Sequence, residues 1–277
     1  MMNCFENFRV KPGSKIQLSE IDPSFKHCYD NREEALPETN RMDEQIRTLT
    51  YKLYAEHKQS LLICLQGIDA SGKDGTIKHV LGATNPQMCT ALSFKEPTQE
   101  ESEHDFLWRY HKVTPGQGHI SIFNRSHYES VLIERVHNLV PEKVWSGRYD
   151  QINSFESLLT GSNTLVLKFF LYISQNEQLD RFKQRIDDPA RQWKISESDY
   201  TEAKYWDDYI AAFENMLNRC STQHAPWFII PANHKWFRDL AVASIIAEAL
   251  KSLNPQFPAP SVNIEEIKNK YHKLRES

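Results

Sequence analysis

The sequence predicts an α/β protein with a five-stranded parallel sheet, and three observations support this fold class. Five short apolar runs alternate along the chain with longer stretches in which apolar residues recur every three or four positions. The first run, residues 61–65, is apolar throughout, as in a strand buried on both faces of a sheet. No internal repeat and no linker interrupts the alternation. Strands and helices that alternate in this way form parallel sheets with right-handed crossovers.

The individual elements follow from the same patterns. Strands are predicted from apolar and β-branched runs at residues 61–65, 89–94, 119–123, 164–173 and 227–230. Helices are predicted from apolar residues at helical spacing at 40–59, 76–82, 98–113, 131–136, 141–159, 176–185, 196–219 and 236–253. Thr98 and Glu101 have the spacing of a capping box at the start of the helix at 98–113. Pro189 ends the helix predicted at 176–185.

One domain is predicted, with a shorter segment on each side of it. Residues 1–38 contain Pro12, Pro23 and Pro37 and mixed polarity, which predicts an extended N-terminal arm over the surface. Residues 39–255 contain all five strands and form the domain. Residues 256–277 form a peripheral tail with a short charged helix at 264–274.

Composition and charge restrict the class of protein. Apolar residues make up 40% of the 277 residues, which is enough for a large packed core. No run approaches the roughly 18 apolar residues of a membrane span, and residues 1–5 lack the pattern of a secretory signal. The five cysteines are scattered without metal-ligand spacing, and the net charge of −4 disfavours a general nucleic-acid binder. These observations predict a reduced, cytoplasmic protein that binds neither nucleic acid nor membranes.

Residues 61–77 combine a buried strand, a loop and the start of a helix. Within the loop, Gly67, Gly72 and Lys73 match G-x-x-x-x-G-K, the pattern of a phosphate-binding loop. The backbone N–H groups of such a loop and the positive end of the following helix bind phosphate, and Lys73 adds a charge for the outer phosphates. An ordinary nucleotide-binding loop continues with a Ser or Thr that binds magnesium, whereas this chain has Asp74.

Two carboxylates, Asp69 and Asp74, lie in this loop. A carboxylate repels a bound phosphate unless a cation lies between them. Mg²⁺ prefers oxygen ligands and would form such a bridge. One interpretation therefore gives Asp69 and Asp74 a metal-binding or catalytic role. In the alternative, Asp69 caps the loop and Asp74 points to solvent.

A second polar group follows the third predicted strand, at the carboxyl edge where ligands bind to open parallel sheets. It reads Asn124-Arg125-Ser126-His127-Tyr128-Glu129. The forked guanidinium of Arg125 suits phosphate oxygens, and a structural ion pair is the alternative. Asn124 stands where most loop-type nucleotide enzymes have a magnesium-binding Asp, and Glu129 is a candidate for the missing carboxylate. His127 and Tyr128 are interpreted as packing or orienting groups.

A third group is basic and contains Arg181, Lys183, Arg185, Arg191 and Lys194. The first and third of these are four residues apart and share a helix face. The helix then breaks and leads into a loop, as in the lids of phosphoryl-transfer enzymes. Cations from a lid would neutralise charge on the transferred group and exclude water. The alternative is a solvated charged face.

Together these motifs resemble the polyphosphate kinase 2 family. The residues that carry the resemblance are Gly67 to Gly75, Phe123 to Glu129 and Trp193-Lys194, with supporting segments at 105–109, 225–227 and 230–236. The similarity runs from Val10 to Pro255. It implies a three-layer α/β/α P-loop kinase fold of the thymidylate-kinase type with a helical lid at about 181–200. It also implies magnesium-dependent phosphoryl transfer between inorganic polyphosphate and a nucleotide.

The resemblance further implies roles for individual residues. Catalytic roles fall to Asp69, Lys73 and Arg125, and magnesium ligation to Asp69 and Glu129. Arg109 and Asn124, again with Glu129, would bind the nucleotide. The implied phosphate-binding set spans the loop and the lid: Gly67, Ala70, Ser71, Gly72, Lys73, Asp74, Gly75, Arg125, Arg181, Arg185 and Lys194.

The exchanged pair Asn124 and Glu129 resembles the subgroup that phosphorylates both AMP and ADP in a reversible reaction. Family members are often oligomeric, which predicts a homo-oligomer, a dimer or a tetramer. Asn233 stands where the family has Asp, so the role of that position is open. Two other functions stay possible: an ATP-dependent nucleoside monophosphate kinase, against which Asp74 counts, and a non-catalytic polyphosphate or nucleotide sensor. Base preference and the favoured direction are open.

Overall fold

The computed structural model describes residues 6–82 and 84–276 and contains a five-stranded parallel sheet. The strands lie in the order β2-β3-β1-β4-β5. They are β1 Ser60–Gln66, β2 Cys89–Ser93, β3 Ile120–Asn124, β4 Thr164–Tyr172 and β5 Trp227–Pro231. All four pairings are parallel, so the predicted sheet is confirmed. The register places Leu65 of β1 opposite Asn124 of β3, which brings the carboxyl ends of these two strands together.

Helices connect the strands and cover both faces of the sheet. They are α1 Arg32–Glu56, α2 Lys73–Thr76, α3 Gln99–Ser102, α4 Trp108–His111, α5 Ile133–Val136, α6 Glu142–Gly161, α7 Gln175–Asp187, α8 Glu197–Glu202, α9 Trp206–Cys220, α10 Lys235–Leu253 and α11 Ile264–Glu276. A π-helical segment, Ile77–Leu81, continues α2. No helix in the described ranges has both the length and the apolarity that crossing a bilayer requires.

The central strand β1 shows why the sheet has two helical layers. All seven of its residues are buried. Leu61, Ile63 and Leu65 belong to the core cluster that contains residues of α1 and α10. Leu62 and Cys64 belong to a cluster with residues of α6 on the opposite face. Because successive strand side chains alternate between faces, a continuously apolar strand requires cover on both sides. The predicted three-layer arrangement is confirmed.

The first helix begins earlier than predicted, at Arg32 rather than near residue 40. Asn31 caps its amino terminus, and Pro37 lies inside it. A proline in a helix removes one backbone hydrogen bond, which is why the sequence predicted an extended segment here. Ala35 and Met42 are nevertheless buried in the core. Packing of this apolar face outweighs the local cost, so the extended conformation predicted for residues 32–38 is wrong.

Three predicted helices are interrupted. The stretch 98–113 forms α3 and α4 with a bend between them, although the predicted capping box of Thr98 and Glu101 is present. The stretch 196–219 forms α8, a short 3-10 turn and α9. Residues 131–136 likewise combine the end of a 3-10 turn with α5. A 3-10 turn places residues i and i+3 on one side much as an α-helix does, so the apolar spacing does not reveal it.

The N-terminal segment is held against the domain. Val10 and Leu18 are buried, and the Val10 N–H donates to the Trp227 carbonyl of β5 at 2.8 Å. The Leu18 N–H donates to the Glu214 carboxylate of α9 at 2.7 Å. Residues 1–5, the start of the predicted arm, lie outside the described residues. The predicted domain limits at 39 and 255 stay predictions.

Candidate active site

The loop between β1 and α2 has the backbone shape that its glycines predict. Gly72 lies in the left-handed region with φ 103°, immediately before α2 begins at Lys73. The Lys73 ammonium donates to the Gly67 carbonyl at 2.7 Å, so the lysine arches over its own loop. Burial lowers the pKa of Lys73, and the nearby carboxylate of Asp69 partly offsets this effect. A desolvated lysine held in this way is a strong partner for an anion that replaces water.

Arg181 of α7 braces this loop from behind. Its Nη1 donates to the carbonyls of Ala70 and Ser71, at 2.8 and 3.0 Å. Its Nη2 donates to the carbonyls of Ala232 and Asn233, which follow β5. Arg181 is only 5% exposed, so this predicted lid cation is a buried part of the loop's support. That it also contacts phosphate stays a prediction.

The end of β3 is tied to the loop through two polar contacts. The Asn124 amide donates to the Asp74 carboxylate at 2.5 Å and to the Ser93 hydroxyl at 3.2 Å. Arg125 Nη2 donates to the Asp69 carboxylate at 2.8 Å. The amide at position 124 thus donates to the Asp74 carboxylate, whereas a carboxylate at position 124 would repel it. Asp74 is exposed to solvent and also accepts a hydrogen bond from Asn124, so both alternatives for this carboxylate stay open.

Arg125 and Glu129 interact through their charges beside the contact of Arg125 with Asp69. Arg125 has a left-handed backbone, φ 63°, which turns the chain sharply after β3. Burial lowers the pKa of Arg125, but Glu129 and Asp69 outweigh this effect and raise it. Burial raises the pKa of Glu129, although Arg125 and Lys73 act against the shift. Two cations and two carboxylates therefore interact at the junction of loop and turn.

A buried network supports this turn. The ammonium of Lys168, on β4, donates to Glu156 of α6 at 2.5 Å, to the Tyr128 hydroxyl at 2.8 Å and to the Cys220 carbonyl at 2.7 Å. Tyr128 also donates to Glu156, and the imidazole of His127 lies 3.1 Å from it. Lys168 and Glu156 are both fully buried. The network fixes the segment after Arg125, and no motif in the sequence points to its lysine and glutamate.

Two cavities meet at Asp69 and Arg125, which line both. The larger, of about 480 Å³, lies over the loop and is lined by eight Lys and Arg side chains against four Asp side chains. The smaller, of about 170 Å³, is lined by Glu129, Tyr209 and Phe213 among others. An excess of cations in a concave site attracts anions. The larger cavity therefore suits a polyanion, and the smaller one a ligand with apolar and polar parts.

The predicted lid contributes to the larger cavity. Arg185, Arg191 and Lys194 all line it, so the structure places these cations of the basic segment beside the loop; that they bind phosphate stays a prediction. Arg185 Nη1 donates to the Asp199 carboxylate of α8 at 2.7 Å. Burial raises the pKa of Asp199, and the negative charge of Asp69 adds to this effect. The lid limits at 181–200 stay a prediction.

Arg109 is not brought to the site. Its guanidinium donates to the Lys95 carbonyl at 3.0 Å, lies 3.4 Å from the Glu101 carboxylate and packs over the Phe94 and Tyr110 rings. It lines neither of the two cavities. Its proposed nucleotide contact thus has no support in this geometry. The capping box that holds Glu101 explains where the arginine goes.

Several residues of the site were not predicted. The start of α10 supplies Lys235, Arg238 and Asp239 to the larger cavity, and the π-helical segment supplies His79. The sequence predicts α10 as a core helix only. The available signal was an Arg-Asp pair inside the run 236–247, whose other residues are apolar except for Ser244.

Comparison with known proteins identifies the family. The model of the polyphosphate kinase 2 (PPK2) family matches residues 29–258. The chain belongs to this family. The sequence is 41% identical to the AMP/ADP-polyphosphate phosphotransferase of Meiothermus ruber, covering 95% of this chain and 98% of that protein. It is 39% identical to the ADP-polyphosphate phosphotransferase of Rhodopseudomonas palustris, with 91% and 92% coverage.

A solved structure supports the same assignment. The crystal structure of polyphosphate kinase 2 from Arthrobacter aurescens TC1 superposes with a TM-score of 0.91 at 37% identity, covering 97% of this chain and 95% of that one. Membership of the polyphosphate kinase 2 family confirms the predicted resemblance, the P-loop α/β fold and the prediction of a kinase. The phosphate loop, the Arg125 turn and the basic lid all lie within the matched residues.

Replacement of Glu129 by glutamine tests the electrostatics of this kinase site. Because the folded-state pKa of Glu129 is raised above its ordinary 4.5, ionisation of this group costs stability as the pH rises through the folded value. We expect Glu129→Gln to raise Tm by roughly 2–4 °C at a pH of about 8. The difference should disappear near the ordinary pKa. Thermal unfolding of parent, variant and exposed Glu197→Gln measures this, and a lower Tm for Glu129→Gln at the higher pH contradicts it.

Proposed function

We propose that this chain transfers phosphoryl groups from inorganic polyphosphate to AMP and to ADP, in a reversible, magnesium-dependent reaction. The observation that supports this best is the pair of cavities that meet at Asp69 and Arg125. Polyphosphate fits the larger cavity because its repeated anionic groups match the excess of cations there. The acceptor nucleotide fits the smaller cavity, which carries Tyr209 and Phe213 beside Glu129. The transferred phosphoryl group then lies at the junction.

The reaction requires little from protein groups beyond positioning and charge. An oxygen of the acceptor's terminal phosphate attacks the terminal phosphorus of the polyphosphate, and the bond from that phosphorus to its bridging oxygen breaks. The shortened chain leaves with the electron pair on that oxygen. The attacking oxygen is already ionised near neutral pH, so no strong general base is needed. Lys73 and Arg125 offset the charge that develops on the transferred group. One phosphoanhydride is exchanged for another, which is why the transfer is reversible.

The residues present fit a magnesium ion. Among the described residues, no group of three or more His, Cys, Asp or Glu side chains is arranged to hold a metal. Mg²⁺ does not need such a cage, because it binds through one or two carboxylates together with water and substrate phosphates. Asp69 and Glu129, which line the same small cavity, are the carboxylates we assign to it. A bound magnesium ion would neutralise phosphate charge and orient the oxygens.

The choice of AMP and ADP as acceptors has two supports. The Meiothermus ruber relative is named for both nucleotides, and the Rhodopseudomonas palustris relative for ADP. In this chain Asn124 holds Asp74, while Glu129 supplies a carboxylate from the other side of the junction. Phosphorylating both acceptors requires room for one phosphate more or fewer between nucleoside and junction. We infer that the two cavities supply that room on either side of their shared boundary at Asp69 and Arg125.

A substrate panel tests the proposal. With magnesium and polyphosphate we expect AMP to give ADP, and ADP to give ATP, as measured by anion-exchange chromatography. GMP and GDP in parallel reactions measure the base preference. Excess chelator should lower the rate by about a thousandfold, since the metal supplies several kcal/mol of charge stabilisation, and added magnesium should restore it. Activity with ATP plus a monophosphate, and none with polyphosphate, would favour an ATP-dependent nucleoside monophosphate kinase instead.

Three further expectations belong to this proposal. The protein is a homo-oligomer, which light scattering after size-exclusion chromatography measures. It acts in the cytoplasm, and it binds no nucleic acid and no membrane. A non-catalytic sensor is the remaining alternative: binding of polyphosphate or nucleotide that survives Asp69→Ala, without turnover by the parent, would favour it.

A further inference from the structure

A charged pair lies buried at the start of the core helix α10. Arg238 is 2% exposed and Asp239 is 8% exposed, within a helix whose other buried residues are almost all apolar. A buried charge is costly unless it is paired, and an arginine in the first turn also opposes the helix dipole. Lys235, in the same turn, adds a second cation. The helix would be more stable with apolar residues here, so the stability of the fold does not explain this charge.

Asp239 fixes the guanidinium of Arg238. The Nε and Nη2 atoms both donate to Asp239 Oδ1, at 2.9 and 2.7 Å. Among the described residues, Nη1 has no hydrogen-bond partner. This differs from the neighbouring Arg181, whose three nitrogens all donate to protein oxygens. Two buried arginines thus lie at the loop, and only one of them is fully occupied by the protein.

The guanidinium lies directly against the phosphate loop. A Cβ atom built on Gly72 would lie 1.8 Å from Arg238 Nη1, and one built on Gly75 would lie 3.0 Å from Nη2. Any side chain at position 72 would therefore displace the guanidinium. Arg238 lines the larger cavity together with Lys73. The glycine permits a close approach of the arginine to the place where the loop turns into α2.

The charge around Arg238 is not balanced by the protein. Burial lowers the pKa of Lys235, and the charges of Arg181, Arg191 and Arg238 lower it further. Asp239 is the carboxylate that pairs with Arg238, and the cavity as a whole has eight cations to four carboxylates. Mutual repulsion of this kind is relieved when an anion binds between the cations. The ligand expected beside Arg238 is therefore anionic.

We propose that Arg238 is a phosphate-binding residue of the donor site, in which Nη1 donates to a non-bridging oxygen of the polyphosphate and Asp239 positions the guanidinium. This rests on the proposed function, because polyphosphate is the ligand. Arg238 comes from a core helix, so its donor is already in place when the ligand arrives. Arg238 lies on the core helix α10, whereas Arg185 and Lys194 lie on the basic segment. Gly72 makes the contact possible by leaving space for it.

Replacement of both charged partners tests the assignment without leaving Asp239 buried and unpaired. We expect Arg238→Met/Asp239→Asn to fold and to raise the KM for polyphosphate by about 10- to 100-fold, the range for loss of a hydrogen bond to a charged group. The KM for ADP should change less than about twofold, because ADP occupies the other cavity. Arg238→Lys should recover part of the loss, since it retains the charge without the fork. Lys251→Met, an exposed position of α10, is the matched control.

Binding is measured alongside turnover, by titration calorimetry with long-chain polyphosphate. A purely structural role for Arg238 would lower Tm and kcat, leave the KM and Kd for polyphosphate unchanged, and show no rescue by lysine; that result overturns the assignment. The proposed function fails separately if the parent binds polyphosphate but transfers nothing to AMP or ADP. In that case a weaker Kd in the double variant still supports the assignment. A parent that does not bind polyphosphate overturns it.

Discussion

Replacing Lys73 with methionine is expected to lower kcat with polyphosphate and ADP by about 10²- to 10³-fold, the loss typical of removing one donor from a preorganised charge-stabilising site. The Lys73 ammonium already lies within the loop, 2.7 Å from the Gly67 carbonyl. Methionine retains most of the side-chain volume and removes the charge and the ammonium donors. The fold should persist, since the variant loses two hydrogen bonds, to the carbonyls of Gly67 and Ile68, each worth about 1 kcal/mol.

Lys78→Met is the matched control for this variant. Lys78 is exposed on the π-helical segment five residues later and lines neither cavity. Initial rates at saturating substrate, together with Tm for each protein, separate a catalytic loss from unfolding. A Lys73→Met enzyme within about threefold of the parent rate would remove Lys73 from the assigned phosphate role. Equal losses in both variants would indicate a general effect of net charge.

The largest expected effect on stability comes from the buried pair Glu156 and Lys168. We expect Glu156→Ala to lower the free energy of unfolding by about 3–5 kcal/mol, because it leaves the Lys168 ammonium buried without its carboxylate. Burial alone would raise the pKa of Glu156, but Lys168 and His127 together outweigh this effect and lower the pKa. Glu156 thus stays ionised in the folded protein. Urea denaturation followed by tryptophan fluorescence measures the loss.

A double variant distinguishes this cause from simple loss of packing. Glu156→Leu/Lys168→Met removes both charges and retains side-chain volume, so it should be much more stable than either single replacement. Some loss should remain, because Tyr128 loses its acceptor in the network. If the double variant is as unstable as the sum of the single ones, the pair is not coupled and the stated cause is wrong.

The strands and the phosphate loop were predictable because their signals are local. A continuous apolar run such as 61–65 has few alternatives to a doubly covered strand, and Gly67, Gly72 and Lys73 are informative at fixed spacing. A local apolar run also predicted where β3 ends, and therefore that Asn124 and Arg125 lie beside the loop. These features depend on residues close together in the chain.

The remaining features depend on contacts between distant segments. The brace from Arg181 to the Ala70 carbonyl spans 111 residues, and the bond from Lys168 to Tyr128 spans 40. A sequence pattern contains the charges but not their partners. The start of α1 was predicted too late because Pro37 disfavours a helix locally, whereas tertiary packing outweighs this preference. The family motif assigned Arg109 to the site, although its partners in the structure lie in or near α3 and α4.

The most direct test of polyphosphate as the donor is transfer of a radioactive phosphoryl group. The protein is incubated with magnesium, ADP and polyphosphate labelled with ³²P, and the ATP formed is isolated. We predict label in the γ-phosphate of ATP, formed in proportion to the polyphosphate consumed. Unlabelled ATP accompanied by an equal amount of AMP would mean that two ADP molecules had reacted with each other, and would contradict polyphosphate as the donor.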